Sequence, residues 1–271
     1  MKIIDAHMHL FAPKEAHAQE SAKRVGHENS IEHLHKVYEE LGIVGAVVMS
    51  NRSLDPARHD YPSPFRYCIG LDSWVTRNDF PKNTYELVEE NLARPECCGI
   101  KLYPGYEKSY ITEEKYKPLY HLAEQYQKPV AVHMGLTAYA KAHLKYSHPM
   151  VLDEVAADYP KVKFVLCHFG NPFLESTVAV IEKNRNVYTD LSGLIEGRFD
   201  VNAYFEEKSM YTNLLSGWLT YLSAWDRVLF GTDFPIVNLE EYITYISRLV
   251  PEQYHDKVFF ENANLLYQFG L

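Results

Sequence analysis

The sequence predicts an α/β fold in which eight parallel strands close into a (β/α)8 barrel. Eight apolar runs of strand length alternate with segments of helical period along the 271 residues, and about 250 residues is the usual size of such a barrel. Polar residues end several of these runs at their carboxyl ends. No Gly-x-Gly-x-x-Gly stretch follows any run, which weakens the case for an open dinucleotide-binding sheet. The closed barrel is therefore the predicted architecture.

The predicted strands are apolar runs bounded by polar and turn-forming residues. They cover residues 3–9, 44–50, 66–72, 98–103, 130–134, 163–168, 187–191 and 228–233. Strands that alternate with helices and are buried on both faces indicate a parallel sheet. No interior linker interrupts the alternation, so we expect a single domain over residues 1–271.

Helix boundaries are marked by capping residues between the strands. Apolar residues recur at helical spacing after Ser30, and Gly42 is placed to end that helix. Asn83 offers a capping start for a helix over 85–92. Pro118 belongs in the first turn of the helix that follows, because proline is disfavoured deeper in a helix.

Composition argues against several classes of function and location. The net charge of −9 gives no electrostatic footprint for nucleic acid or an anionic membrane. The four cysteines have neither the density of a disulfide framework nor zinc-ribbon spacing. The opening MKIIDAHMHL carries an acid and histidines where a signal peptide would be apolar. We therefore expect a soluble, cytoplasmic protein without nucleic-acid or membrane partners.

Two His-x-His pairs occur, and only one lies on a predicted strand. His33 and His35 lie on a predicted helix, where residues two apart point to different faces and cannot chelate one ion. We expect that pair on a solvated surface. His7 and His9 lie on a predicted strand, where residues two apart share a face, so both imidazoles are expected to point into the mouth of the barrel.

His133, His168 and Asp233 each end a buried run and are followed by loop residues. A buried carboxylate without a partner costs several kcal/mol, so Asp233 is expected beside a cation. The carboxyl ends of barrel strands meet at one face, and imidazoles with a carboxylate suit a catalytic zinc or similar ion. We therefore predict one divalent ion, expected to be Zn²⁺, at that face.

Seven stretches carry a more specific resemblance: IDAHMHLF, GIKLYPGY, VAVHMG, KFVLCHFGNP, NVYTDLSG, VLFGTDFP and ENANLLYQF. In this order they resemble the amidohydrolase superfamily, in particular amidohydrolase family 2, over nearly the whole chain. The resemblance implies a metal-dependent TIM-like barrel with His7, His9 and His133 as metal ligands. It also implies that Asp233 is a ligand and proton acceptor, and that His168 is a catalytic histidine beside the substrate.

These residue types suit hydrolysis. A divalent ion lowers the pKa of bound water to about 7, Asp233 can accept its proton and pass it to the leaving group, and His168 can polarise a substrate carbonyl. We expect a metal-dependent hydrolase that uses metal-bound hydroxide on the C–O or C–N bond of a lactone, ester or amide. Decarboxylation of an aromatic or unsaturated acid is the alternative, and a barrel that binds metal or a small molecule without turnover is a further one.

Four other residues are predicted to contact a small-molecule substrate. Lys101 and Tyr103 share a face of the fourth strand and are expected to hydrogen-bond the substrate or the residues around it. In some members of the superfamily that the chain resembles, a lysine on this strand is carboxylated and bridges two metals. Arg52 and Arg198, in the loops after the second and seventh strands, are candidate clamps for a substrate carboxylate. The 21 tyrosines suit an aromatic interface, for which a homodimer is one arrangement.

Overall fold

Eight parallel strands form one sheet whose order in space is their order in the chain. The computed structural model describes residues 1–12, 15–76 and 79–271. The first and last strands are joined by backbone hydrogen bonds from Ala6 to Phe230 (2.9 Å) and from His9 to Phe234 (2.8 Å). Helices lie between the strands, so the (β/α)8 barrel predicted from the sequence is confirmed.

The strands are β1 Ile3–Met8, β2 Ile43–Met49, β3 Phe65–Leu71, β4 Cys97–Leu102, β5 Val130–Val132, β6 Phe164–Leu166, β7 Val187–Asp190 and β8 Val228–Leu229. The α-helices of the described residues are α1 Ala16–Arg24, α2 Ile31–Leu41, α3 Ser73–Thr76, α4 Thr84–Leu92, α5 Pro104–Glu107, α6 Lys117–Gln125, α7 Met150–Asp158, α8 Leu174–Lys183, α9 Val201–Glu207, α10 Ser209–Leu222, α11 Leu239–Leu249 and α12 Asn262–Leu266. None of these helices is both long and apolar enough to cross a membrane.

All eight predicted strands exist, but several end earlier than the sequence suggests. The predicted strand 163–168 stops at Leu166, because His168 turns into a left-handed conformation at φ 61°. The predicted strand 228–233 stops at Leu229, and Asp233 has φ 60°. The polar residues that follow the strands therefore belong to turns, which aim their side chains independently of the sheet.

The predicted helix boundaries are confirmed, although one of the capping contacts is missing. Ser30 caps α2 by accepting a hydrogen bond from the His33 backbone N–H (3.2 Å), and Gly42 ends it at φ 73°. Pro118 lies in the first turn of α6 as predicted. α4 begins directly after Asn83 as predicted, although the Asn83 side chain makes no capping hydrogen bond.

Successive strand residues divide the core into two apolar layers. One layer packs the sheet against helices, for example against Leu34 and Tyr38 of α2. The other layer contains smaller strand residues such as Val47, Ala131 and Val165, which form a separate cluster with α12. Because the strands are buried on both faces, the barrel is a packed scaffold, and its strand ends are left to carry function.

Aromatic and sulfur side chains contribute to this core. Seven tyrosines are almost completely buried: Tyr38, Tyr67, Tyr116, Tyr120, Tyr242, Tyr245 and Tyr267. At these positions the tyrosine-rich composition reflects packing inside the barrel protein and not an interface. All four cysteines are buried thiols.

Candidate metal and active site

A cavity of about 460 Å³ opens where the strands end. Its wall is built by the segments that follow the strands, so residues far apart in the chain meet there, as the barrel geometry requires. Among the predicted site residues, the wall includes His9, Arg52, Tyr103, His133, His168 and Asp233.

His7, His9 and Asp233 meet at one point in the fold. The Nε2 atoms of His7 and His9 lie 3.6 Å and 3.2 Å from Oδ1 of Asp233. One ligand atom from each residue lies within 4.8 Å of the other two, a grouping that could hold a metal ion. The structure thus brings together three of the four side chains predicted as ligands.

The other nitrogen of each imidazole already has a hydrogen-bond acceptor. Nδ1 of His7 lies 2.9 Å from Oδ2 of Asp190, and Nδ1 of His9 lies 2.9 Å from the Met49 carbonyl and 2.9 Å from Oδ1 of Asn51. Each Nδ1 therefore carries the proton, and each Nε2 presents a lone pair, as in metal-ligating histidines. Nε2 of His7 is buried and has no hydrogen-bond partner among the described residues. This unpaired lone pair fits a divalent ion.

His133 stands beside His168 and is not part of that three-residue group. Nδ1 of His133 and Nε2 of His168 lie 3.0 Å apart, and Nε2 of His133 lies 2.8 Å from the Leu136 carbonyl oxygen. Because a carbonyl only accepts, Nε2 of His133 carries its proton and Nδ1 accepts one. A hydrogen bond between the two rings then takes its proton from Nε2 of His168, whose Nδ1 lies 2.9 Å from the Ser192 hydroxyl and 3.3 Å from the Ser192 carbonyl. A metal ion bound by Nδ1 of His133 would release Nε2 of His168 from this contact, and Nε2 of His168 would then face the cavity.

The loop after β7 holds His168 in place. The Ser192 hydroxyl lies 2.9 Å from Nδ1 of His168 and 2.5 Å from Oδ1 of Asp190. Oδ1 of Asp190 also accepts the backbone N–H of His168 at 2.9 Å. Asp190 therefore contacts both His7 and His168, and it fixes their relative positions.

Burial and charge set the protonation of these groups. Burial lowers the pKa of His7 to about 3, with Lys101 contributing, and also lowers the pKa values of His133 and His168. Burial alone would raise the pKa of Asp233, but its contacts with His9, His168 and His7 hold it well below its usual value. At neutral pH the site therefore combines neutral His7, His133 and His168 rings with an ionised Asp233 carboxylate.

Two of the predicted substrate contacts line the cavity. The Tyr103 hydroxyl accepts a hydrogen bond from Nδ2 of Asn51 at 3.2 Å. The Arg52 guanidinium lies 4.5 Å from the ring centroid of Trp74 and 3.9 Å from a carboxylate oxygen of Glu15. Arg52 is thus a cation held against an aromatic part of the cavity wall.

The other two predicted substrate contacts lie elsewhere. Lys101 is completely buried, and its ammonium donates to Sγ of Cys167 at 3.0 Å, so it is enclosed by the fold and does not line the cavity. Arg198 donates to Oε1 of Glu241 at 2.8 Å, and its side chain is 60% exposed. Arg198 does not line the cavity either, and the structure does not support it as a substrate clamp.

Sequence reasoning assigned no role to Asp190, Asn51 or Asp72, although they hold the candidate ligands and the wall in place. Asp190 ends β7 and Asp72 directly follows β3. Both therefore carry the signal that identified Asp233, a polar residue at the end of an apolar run. The second His-x-His pair was interpreted only in part. His35 is exposed, but His33 is partly buried and its Nε2 lies 3.0 Å from Nδ1 of His27.

The sequence profile of the amidohydrolase family Amidohydro_2 matches residues 4–269 of the chain. The chain belongs to this family. A search of curated proteins found no match.

Solved structures share the fold of this amidohydrolase at low sequence identity. An uncharacterized TIM-barrel protein from Bordetella bronchiseptica is 21% identical with a TM-score of 0.73, and each chain is covered to 100%. A dihydroxybenzoic acid decarboxylase from a Polaromonas species, with bound manganese and the inhibitor 2-nitroresorcinol, is 16% identical with a TM-score of 0.67. That match covers 100% of this chain and 98% of the other. A probable 2-pyrone-4,6-dicarboxylic acid hydrolase from Acinetobacter baumannii is 15% identical with a TM-score of 0.65, covering 99% of this chain and 100% of the other. At these identities the likeness concerns the fold alone.

Proposed function

We propose that this amidohydrolase-family chain is a metal-dependent hydrolase that cleaves a C–O or C–N bond in a small lactone, ester or amide. The observation that carries the proposal is the convergence of three unprotonated ligand atoms, Nε2 of His7, Nε2 of His9 and Oδ1 of Asp233. They meet at an open cavity where a substrate can approach.

His7, His9 and Asp233 would hold one divalent ion, with His133 as a further ligand if its Nδ1 exchanges the contact with His168 for the metal. Such an ion acts as a Lewis acid and lowers the pKa of water to about 7 when bound. Two or three imidazoles with one carboxylate suit zinc, so zinc is the proposed ion. Manganese is the metal named for the Polaromonas relative, and it is the second ion to be tested.

Asp233, His168 and Arg52 would have different roles in hydrolysis. Asp233 is held ionised beside the histidines, so its carboxylate can accept the proton of the attacking water and return it to the leaving group. The Nε2–H of His168 would donate to the substrate oxygen on which charge develops. Arg52 and the aromatic side chains around it would bind the remainder of the substrate, including any carboxylate.

Decarboxylation is the second candidate, and the lining of the cavity favours it. Trp74, Tyr103, Tyr106 and Tyr139 line the same cavity as Arg52, which suits a planar unsaturated acid. A decarboxylase must, however, protonate a carbon atom after carbon dioxide leaves. Hydrolysis remains the first proposal, because the ionised Asp233 carboxylate beside His7 and His9 supplies the base that activation of a water molecule requires.

The test is an activity screen of the protein loaded with zinc or with manganese. Lactones and esters are assayed by acid release with a pH indicator, amides by release of the amine, and aromatic carboxylic acids by carbon dioxide release. We expect hydrolysis that disappears in His9→Ala and persists in His35→Ala, which removes an exposed histidine of the other pair. Carbon dioxide release without hydrolysis would select the decarboxylase. Metal binding without either reaction would identify a non-catalytic barrel.

A further inference from the structure

We propose that Asn51 is a positioning residue that determines which nitrogen of His9 is offered to the metal, and that Asp72 sets its orientation. The inference rests on the metal site proposed above. Oδ1 of Asn51 lies 2.9 Å from Nδ1 of His9, and Nδ2 of Asn51 lies 3.2 Å from Oδ2 of Asp72. Asn51 therefore stands between a candidate ligand and a carboxylate that does not touch that ligand.

The Asp72 carboxylate is held by backbone donors. The N–H groups of Trp74 and Val75 donate to its Oδ1 at 3.1 Å each, and the Arg52 N–H donates to its Oδ2 at 3.1 Å. Asp72 is only 6% exposed, so its oxygens act as acceptors toward groups of the protein. Any further group that faces Asp72 must therefore be a donor.

This requirement orients the Asn51 amide. Its Nδ2 must face Asp72, where it also reaches the Tyr103 hydroxyl at 3.2 Å, and its Oδ1 must then face His9. Nδ1 of His9 meets two acceptors, Oδ1 of Asn51 and the Met49 carbonyl. The proton of His9 is therefore placed on Nδ1, and Nε2 keeps its lone pair toward Asp233.

His7 and His9 differ in the side chain that faces Nδ1 of each ring. His7 faces Asp190 directly, and a carboxylate is an acceptor whichever way it is turned. His9 faces an amide, which would present a donor if it were rotated by half a turn. Beside the Met49 carbonyl, Asp72 turns the Asn51 amide so that it too presents an acceptor to Nδ1 of His9. The same Asp72 carboxylate accepts a hydrogen bond from the Arg52 backbone N–H. Asp72 therefore holds both Arg52, in the cavity wall, and Asn51, which contacts the candidate ligand His9.

The test uses Asp72→Asn, Asn51→Leu and the control Asn171→Leu. Asn171 also lines the cavity, and no hydrogen bond joins it to His9 among the described residues. In the metal-free proteins, long-range ¹H–¹⁵N NMR of the imidazole rings reports the tautomer of His9, whose signals are assigned by their loss in His9→Gln. We expect Nδ1–H in the wild type and a growing share of Nε2–H in Asp72→Asn, because an amide at 72 no longer forces Asn51 to donate toward it.

Zinc affinity, measured by competition with a chelator, is the second readout. We expect zinc affinity to weaken roughly 10-fold in Asp72→Asn and Asn51→Leu. This is the lower limit of the effect usual when a hydrogen-bond partner of a metal-ligating histidine is removed, because the Met49 carbonyl still accepts from His9. Asn171→Leu should stay within roughly two-fold of the wild type. If Asp72→Asn fails to fold by circular dichroism, Asn51→Leu decides the affinity readout.

An unchanged His9 tautomer together with unchanged zinc affinity in the folded variants would overturn the role of Asn51. A wild-type protein that binds no divalent ion would instead overturn the proposed function. The tautomer of His9 in the metal-free proteins would then still decide whether Asn51 and Asp72 orient it, so the two failures are distinguishable.

Discussion

His168 occupies a position where it can act on a substrate without holding the ion. Its backbone N–H is bound to Asp190, and its ring lies between Ser192 and His133. It is absent from the group formed by His7, His9 and Asp233. These contacts place it as a fixed hydrogen-bond donor at the cavity wall.

Replacing this donor should separate turnover from metal binding. We predict that His168→Asn retains the metal while turnover falls by roughly 10²–10³, the usual effect of losing one donor to a developing oxyanion. Metal content and turnover are measured on one preparation, with His121→Asn on the exposed face of α6 as control. Loss of metal together with rate would make His168 a ligand, and wild-type turnover would make it structural.

Glu107, at the end of α5, gives the protein a pH-dependent stability. Its Oε1 is buried and lacks a hydrogen-bond partner among the described residues. Burial raises the pKa of Glu107 from 4.5 to about 8, Asp72 adds to the rise, and Lys115 opposes it. The folded protein therefore keeps a proton that the unfolded chain has lost, and the free energy of unfolding should fall as pH rises through about 5 to 8.

Glu107→Gln should remove this part of the pH dependence. The neutral amide has no charge to desolvate, so we expect the variant to gain roughly 2 kcal/mol over the wild type between pH 5 and pH 9, after allowance for partial exposure. Urea unfolding of both proteins at three pH values measures the difference. Parallel stability curves would show that Glu107 ionises normally in the fold.

The histidines of the site were accessible to sequence reasoning through local signals, because His7 and His9 form a His-x-His pair on a strand and His133 and His168 each end an apolar run. Asp190 has the same signal, but its role depends on His7, which is 183 positions away, and no local pattern shows that contact. Arg198 was predicted to face a substrate and instead pairs with Glu241. Tertiary structure decides which group a charged loop residue contacts. The sequence could therefore identify Arg198 as a charged loop residue but could not predict its partner.

At the level of elements, the turns after the strands orient the side chains of the candidate site. His168 and Asp233 both have positive φ, a conformation that L-residues adopt only under constraint from their surroundings. Gly193 lies between them. A Cβ atom there would come within 2.9 Å of Oδ2 of Asp233 and 3.0 Å of Nδ1 of His168.

A methyl group at Gly193 should therefore damage the site as well as the backbone. Gly193 has φ +61°, and Gly197, in the same loop, has φ +91° with nothing within 4 Å of an added Cβ. We expect Gly193→Ala and Gly197→Ala both to lose about 1 kcal/mol or more of stability through strain. Only Gly193→Ala should also lose metal affinity and turnover. Equal effects on metal affinity would contradict the close packing around Asp233.

Element prediction succeeded where periodicity decides structure and failed at the ends. Eight strands and α2 follow from alternating apolar runs, with Ser30 and Gly42 as caps. The early ends of β6 and β8 could not be predicted, because histidine and aspartate carry no local signal for the left-handed turns that neighbouring strands impose on them. Asn83 has a capping residue type but not a capping contact.

At the scale of the whole molecule, the barrel brings residues that are far apart in the chain together in one site. His7 follows the amino terminus and Asp233 follows the last strand, yet their side chains lie 3.6 Å apart. Closure of the sheet between β8 and β1 brings them together through backbone hydrogen bonds such as that from Asp233 N–H to the His7 carbonyl at 2.8 Å. The site therefore depends on closure of the barrel.

The central claim, that His7, His9 and Asp233 hold the functional ion, is tested most directly by anomalous diffraction from zinc-soaked crystals at the zinc absorption edge. We expect one peak per chain, bound by Nε2 of both histidines and a carboxylate oxygen of Asp233. The structure also contains a second, fully buried group formed by His7, Cys167 and Asp190. A peak there alone, two peaks per chain, or no peak would contradict the single-ion site.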